Sequence, residues 1–194
     1  MNIRIYIYHH AEVLDFAGPF EVFSTANRLM TAATSFNVFL LAEEKSAVNA
    51  RGNFPALPHY DIHDHPTLDM LIVAGGEHAV ELKKPHIIDW IRRTADRSDY
   101  VASVCTGAFL LAEAGLLSGL KVTTHWEDID DLRASYPSLT VLPSQRWVDE
   151  GKFITSGGIS AGIDMSLHLV EKLKDRALAQ KTATQMDYDW VENT

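Results

Sequence analysis

The stretch Ser103-Val104-Cys105-Thr106-Gly107 sets the one cysteine of the chain between an apolar run and a helix-forming run, with small residues two before and two after it. That is the pattern of a nucleophile elbow, a sharp strand-to-helix turn that projects its side chain from the sheet. The N-terminus of the following helix would point free N–H groups and the positive end of its dipole at the sulfur, which predicts a lowered thiol pKa. The plain alternative is a small buried hydrophobe. An attacking thiolate also needs a proton carrier and donors for developing negative charge. Asp15, in Val13-Leu14-Asp15-Phe16-Ala17-Gly18-Pro19, lies between the first strand and the first helix, in apolar company that raises a carboxyl pKa. Its competing role is to cap the helix ahead of Pro19. Of the neighbouring carboxylates, Glu12 reads as solvated and Glu21 as part of the helix.

Gly75-Gly76, after Leu71-Ile72-Val73-Ala74, presents backbone N–H groups with no side chain in the way. Alone it reads as a strand-ending turn; beside the Thr106 amide, Gly76 would complete a two-donor oxyanion hole. His125-Trp126-Glu127 offers the base and orienter of a cysteine triad, or a histidine that caps a helix or faces solvent. In His59-Tyr60-Asp61-Ile62-His63-Asp64-His65, an extended backbone would bring His59, Asp61, His63 and His65 to one face, a set able to hold zinc. A polar loop or edge strand is the favoured reading, and neither metal nor organic cofactor is expected.

Positioning these residues requires strands alternating with helices. Ile3, Ile5 and Ile7 alternate with Arg4, Tyr6 and Tyr8 as in a strand. Phe20, Phe23, Ala26 and Met30 recur at helical spacing from Gly18 to Met30, with Pro19 in the first turn. Strands are expected over Phe36–Ala42, Leu68–Ala74, Tyr100–Val104 and Lys121–Thr124, and a hairpin over Trp147–Thr155. Helices are expected over Pro85–Ser98, Ala108–Ala114, Glu127–Tyr136 and Ala161–Lys174. The near-continuous Met70-Leu71-Ile72-Val73 suits a strand covered on both faces. This order calls for an α/β fold with a mostly parallel sheet between helical layers. Ligands of such sheets bind beyond the carboxyl ends of the strands, the rim to which Asp15, Gly75, Gly76, Cys105 and His125 are assigned.

Composition narrows the function. At 194 residues with 46% hydrophobic and 22% charged, the chain reads as one globular domain over 1–194 whose core needs neither disulfide nor structural metal. A formal charge of -9 and no basic run speak against nucleic acid as a partner. Apolar runs stop far short of the ~18 residues of a membrane span, and Met1-Asn2-Ile3-Arg4 lacks the features of a signal peptide. The expectation is a cytoplasmic protein acting on a small molecule, away from membranes.

Five segments in order give the chain a resemblance. They are Leu14-Asp15-Phe16-Ala17-Gly18-Pro19-Phe20-Glu21-Val22-Phe23, Asp69–Gly76, Val104–Leu117 around Cys105-Thr106-Gly107-Ala108, Lys121-Val122-Thr123-Thr124-His125-Trp126, and Thr155–Met165. Together they resemble the ThiJ/PfpI superfamily, from Ile3 to about Tyr188. The resemblance implies a flavodoxin-like three-layer sandwich, the class I glutamine amidotransferase-like fold. Asp-x-x-Gly-Pro, Cys-Thr-Gly-Ala and Thr-Thr-His-Trp are similar to the isonitrile hydratase branch. The PfpI peptidase branch places histidine directly after its nucleophile, where Thr106 stands here. Glutaminase domains place His-x-Glu much later than His125-Trp126-Glu127. The deglycase branch usually has Glu at the position of Asp15 and Ala at that of Thr106. The same segments resemble the sensor domain of AraC-type regulators, which continue into a helix-turn-helix module of about a hundred residues. The sequence ends at Thr194 without one, so direct DNA binding is not expected.

The resemblance thus implies hydration of a small electrophilic carbon, most specifically of an isonitrile to an N-substituted formamide. Cys105 would be the nucleophile, Asp15 the acid and base, the Gly76 and Thr106 amides the oxyanion donors, and the Thr106 hydroxyl a group orienting Asp15 or substrate. The alternatives are a non-catalytic ligand or redox sensor and a glyoxalase or deglycase-like stress enzyme. It also implies a homodimer, to which Phe20, Phe23 and Leu29 of the first helix would contribute.

Overall fold

The structure, a computed structural model, describes residues 1–31 and 35–193. The chain runs β1 (Asn2–Tyr6), α1 (Val13–Arg28), β2 (Asn37–Ala42), β3 (Val48–Ala50), β4 (Phe54–Ala56), β5 (Tyr60–Asp61), β6 (Met70–Val73) and α2 (Pro85–Arg97). It continues with β7 (Tyr100–Ser103), α3 (Gly107–Glu113), β8 (Lys121–Val122), α4 (Ile129–Ser135), β9 (Thr140–Val141), β10 (Trp147–Glu150), β11 (Phe153–Ser156), α5 (Ala161–Leu173) and α6 (Arg176–Gln185). Seven strands form one sheet in the order β10-β11-β7-β6-β1-β2-β5. Every pairing in it is parallel except that of β10 with β11. One helical layer is built by α1, α5 and α6 packing on one another, the other by α2 and α3, which gives the three-layer α/β sandwich.

Burial explains both the central strands and one surprise in them. Met70, Leu71, Ile72 and Val73 of β6 are all fully buried, as a strand with helices on both faces must be. In β1 the alternation marks a strand, yet the side carrying Arg4 and Tyr6 is as buried as the isoleucine side. Tyr6 donates its hydroxyl hydrogen to Glu81 Oε2 at 2.8 Å and sets its ring against Trp90. The Arg4 guanidinium lies 4.2 Å from the centre of the Phe39 ring and near Tyr60, while its Nε and Nη2 have no hydrogen-bond partner. Burial lowers the Arg4 pKa against the opposing pull of Tyr60 and Asp69.

Several boundaries differ from the expected ones. Helix α1 begins at Val13, so Asp15 sits in its first turn and Pro19 lies inside it rather than at its start. Proline there denies the Asp15 carbonyl its usual i+4 donor. Phe23, expected at an interface, is fully buried in the core against Phe36. The strand expected over Lys121–Thr124 shortens to β8, which pairs with β9 outside the main sheet. The helix expected from Glu127 starts as a 3-10 turn over Trp126–Asp128 and becomes α4 only at Ile129. No helix among the described residues is long and apolar enough to cross a membrane.

Candidate active site

The carboxyl ends of β1, β6 and β7 converge on one point. Beyond Ser103, the Val104 N–H still donates to the Val73 carbonyl of β6, and the backbone then swings into a left-handed conformation at Cys105, φ 54°. That conformation is uncommon outside glycine, and here it turns the side chain off the sheet. Two hydrogen bonds hold it: the Cys105 N–H donates to Gly157 O at 3.3 Å, and Thr124 Oγ1 donates to Cys105 O at 2.9 Å. Gly107, where α3 opens, passes so close to β6 that a Cβ there would lie 2.2 Å from Val73 O. The elbow therefore depends on the absence of a side chain at that position.

Asp15 reaches Cys105. Its side chain is fully buried, Oδ2 accepts from the Gly75 N–H at 3.1 Å, and the carboxyl lies beside the thiol. Gly75 is the hub: a Cβ there would lie 2.7 Å from Asp15 Oδ2, 2.7 Å from Cys105 Cβ and 2.6 Å from Thr106 N. Burial, then the charge of Glu12, raise the Asp15 pKa to about 7. The amides of Gly75 and Ile159 and the Cys105 thiol pull it back only in part, and Oδ1 has no hydrogen bond of normal geometry.

The thiol behaves opposite to the expectation from the helix N-terminus. Burial, then the nearby Asp15 carboxylate, push the Cys105 pKa well above its ordinary value, and the Thr106 amide opposes them only partly. With both groups pushed upward, the thiol keeps its proton near neutrality while Asp15 gains or loses its own there.

The expected pair of free Gly76 and Thr106 amides is not what is seen. Gly76 donates its N–H to Thr106 Oγ1 at 2.8 Å, and that hydroxyl donates to Gly76 O at 2.9 Å. The Thr106 hydroxyl is thus tied to the glycine loop instead of Asp15, and the Gly76 amide is engaged within the protein. Thr106 N–H, by contrast, faces the sulfur.

Above Cys105 opens a cleft of about 500 Å³, lined by Gly76 and Thr106 on one side and His125 to Asp128 on the other. The His125 ring turns its Cδ2 edge to Gly158, where a Cβ would come within 1.9 Å of it. Its Nδ1 faces Asp128 at 3.4 Å and Glu127 at 3.8 Å, so the histidine is a wall of the cleft turned toward carboxylates. Of the His59–His65 cluster, His59, Asp61 and His65 are occupied elsewhere. His59 Nδ1 accepts from the Leu40 N–H, Asp61 caps the amides of His63 and Asp64, and the His65 ring meets Trp90. Among the described residues, no group of three or more such side chains is arranged around a point that could hold a metal ion.

Sequence reading missed Tyr8 and Ile159. Tyr8 is buried, its hydroxyl has no hydrogen bond of normal geometry, and after burial the charges of Asp15, Glu81 and Cys105 keep its pKa well above the usual phenol range. Its place at the end of β1, two residues beyond Tyr6 and on the same face, was the available signal. Ile159 brings its amide to Asp15 from a loop held at φ 55°, a conformation that its residue type does not announce.

Known proteins resemble this chain in sequence and in fold. The family model of the DJ-1/PfpI family matches residues 1–172. An isonitrile hydratase of Pseudomonas putida is 33% identical over 97% of this chain and 78% of its own. The HTH-type transcriptional regulator CdhR of Pseudomonas aeruginosa is 31% identical over 89% of this chain, which spans only 51% of that regulator. Among solved structures, a ThiJ/PfpI family protein from Pseudomonas syringae superposes with a TM-score of 0.86 at 27% identity, over 97% of this chain and 75% of its own. Drosophila melanogaster DJ-1beta shares the fold, with a TM-score of 0.82 at 18% identity over 97% of this chain and 98% of its own. With an elbow cysteine, a buried acid against it and a match over most of its length, the chain belongs to the DJ-1/PfpI family.

Proposed function

We propose that the protein hydrates a small electrophilic carbon, most specifically the terminal carbon of an isonitrile, giving an N-substituted formamide. The observation that carries this reading is the Asp15–Cys105 pair, an acid and a thiol buried against one another beneath an open cleft. Proton transfer to Asp15 frees the sulfur, which attacks the isonitrile carbon; Asp15 returns the proton to that carbon, leaving a covalent thioimidate. Water then adds across its C=N bond, its oxygen to the carbon, with Asp15 taking a proton from the water and passing that proton to the nitrogen. Collapse of the adduct expels the sulfur as the C=O bond forms, and the hydroxyl proton returns to the thiol. Thr106 N–H stabilises charge on the sulfur side. The sequence likeness to an isonitrile hydratase across 97% of this chain supports the same reading.

The test is formamide formation from a simple aryl or alkyl isonitrile by the wild type, Asp15→Ala and Cys105→Ala proteins. Turnover is expected in the wild type, none in Cys105→Ala, and a loss of at least about a hundredfold in Asp15→Ala. Activity retained by Cys105→Ala would overturn the nucleophile assignment. The second reading, a ligand or redox sensor, draws support from likeness to regulators of which the chain spans about half. Saturable binding without turnover would favour it.

A further inference from the structure

Resting on the reading that a small molecule reaches Cys105, we propose that the cleft selects one bearing a cationic group, such as a protonated amine, and rejects carboxylates. The cleft is a site on independent grounds. Cys105 stands at its floor, backed by the fully buried Asp15. What surrounds the entrance is unbalanced in charge. Four carboxylates line it, Glu12, Glu77, Glu127 and Asp128, against one guanidinium, Arg51. Arg51 stands 3.3 Å from Glu12, so those two offset each other. Glu77, Glu127 and Asp128 face only histidines, His10 for the first and His125 for the other two, which carry charge only when protonated.

An aromatic surface completes the arrangement. Trp126, between His125 and Glu127 on the cleft wall, is 75% exposed. An indole face beside carboxylates attracts an alkylammonium by its quadrupole as well as by the acids, whereas a carboxylate meets repulsion from both. A low-dielectric cleft lined by one sign of charge focuses that field on whatever enters.

Because Cys105 is the one cysteine, thiol labelling reports on this site alone. The probes are methanethiosulfonates carrying an aminoethyl, a methyl or a sulfonatoethyl group. The ratio of cationic to anionic labelling rates, divided by the same ratio for 2-mercaptoethanol, is expected to be about tenfold or more at low salt and to shrink in 1 M salt. In the Glu127→Gln/Asp128→Asn protein it is expected to fall to about threefold or less. A control of equal charge change, Asp96→Asn/Glu150→Gln, removes exposed acids outside the cleft and should leave the ratio near wild type. A wild-type ratio within twofold of that for the free thiol overturns the proposal. So does an equal drop in both double variants, which would assign the preference to the overall charge of -9. Aminoalkyl and carboxyalkyl isonitriles separate this inference from the hydration reading. Labelling preference with no isonitrile turned over removes hydration and keeps the cationic site; turnover of both with equal kcat/KM removes the cationic site and keeps hydration.

Discussion

At the scale of single residues, the Asp15 carboxyl links chemistry to stability. Its pKa is near 7 in the folded protein against an ordinary 3.8, so between these values the native state holds a proton that the unfolded chain has released. Its contribution is therefore fully present below about pH 4 and is lost as pH rises through about 7, a change of roughly 4 kcal/mol. Urea unfolding of wild type and Asp15→Asn should show the wild type losing ground to the variant from pH 4.5 to 8, with the difference flat above that. A constant difference across the range would contradict the raised pKa. Gly75→Ala makes a second demand at this scale. A methyl there would strike the Asp15 carboxylate, the Cys105 side chain and the Thr106 amide together. Loss of Cys105 alkylation by iodoacetamide is expected, with destabilisation of about 1–3 kcal/mol; normal alkylation would show that the three groups can part without cost. The nucleophile and its acid were legible in the sequence because strand-to-helix turns announce themselves by small residues and apolar flanks. The upward shift of the thiol was not, because it depends on the desolvation and the carboxylate that only folding brings to the sulfur.

At the scale of elements, periodicity found the central strands and the long amphipathic helices. It failed where a segment is short. The strands β3 and β4 have three residues each, too few for an alternation to register, and β5 has two. In β1 the alternation marks the strand but does not report how its faces are covered, and the Arg4 side chain lies in the core. A buried cation with two unpartnered nitrogens gives little stability in return for its lost hydration. Arg4→Met, similar in length and able to lie along Phe39, is expected to leave stability unchanged or raise it by about 1–2 kcal/mol. Thermal or urea unfolding checks this, and a loss of more than about 2 kcal/mol would mean that the stacking on Phe39 and Tyr60 outweighs desolvation.

At the scale of the whole molecule, the assembly proposed is a homodimer. With Phe23 in the core, Phe20 of α1, half-buried, and Leu29 just beyond its end, 39% exposed, are the two of the three expected residues left to meet a second copy. Sedimentation should give about twice the chain mass of 21.6 kDa for the wild type and a single chain for Phe20→Glu/Leu29→Glu. A monomeric wild type would dispose of the proposal, and a variant that remains dimeric would move the interface off this helix. The cleft itself divides between two bodies. Cys105 and the glycine loop belong to the seven-stranded sheet, whereas His125 to Asp128 hang from the separate β8–β9 ribbon. Hydrogen bonds of Thr123 and Thr124 fasten that ribbon: Thr123 N–H donates to Thr155 Oγ1, and Thr124 Oγ1 donates to the Cys105 carbonyl. What reacts and what is admitted are consequently inherited on different parts of the chain. Substitutions in the ribbon can change the clientele of the protein over evolutionary time while its reactive centre stands still, and one scaffold can so serve descendants that convert a molecule and descendants that only register its presence.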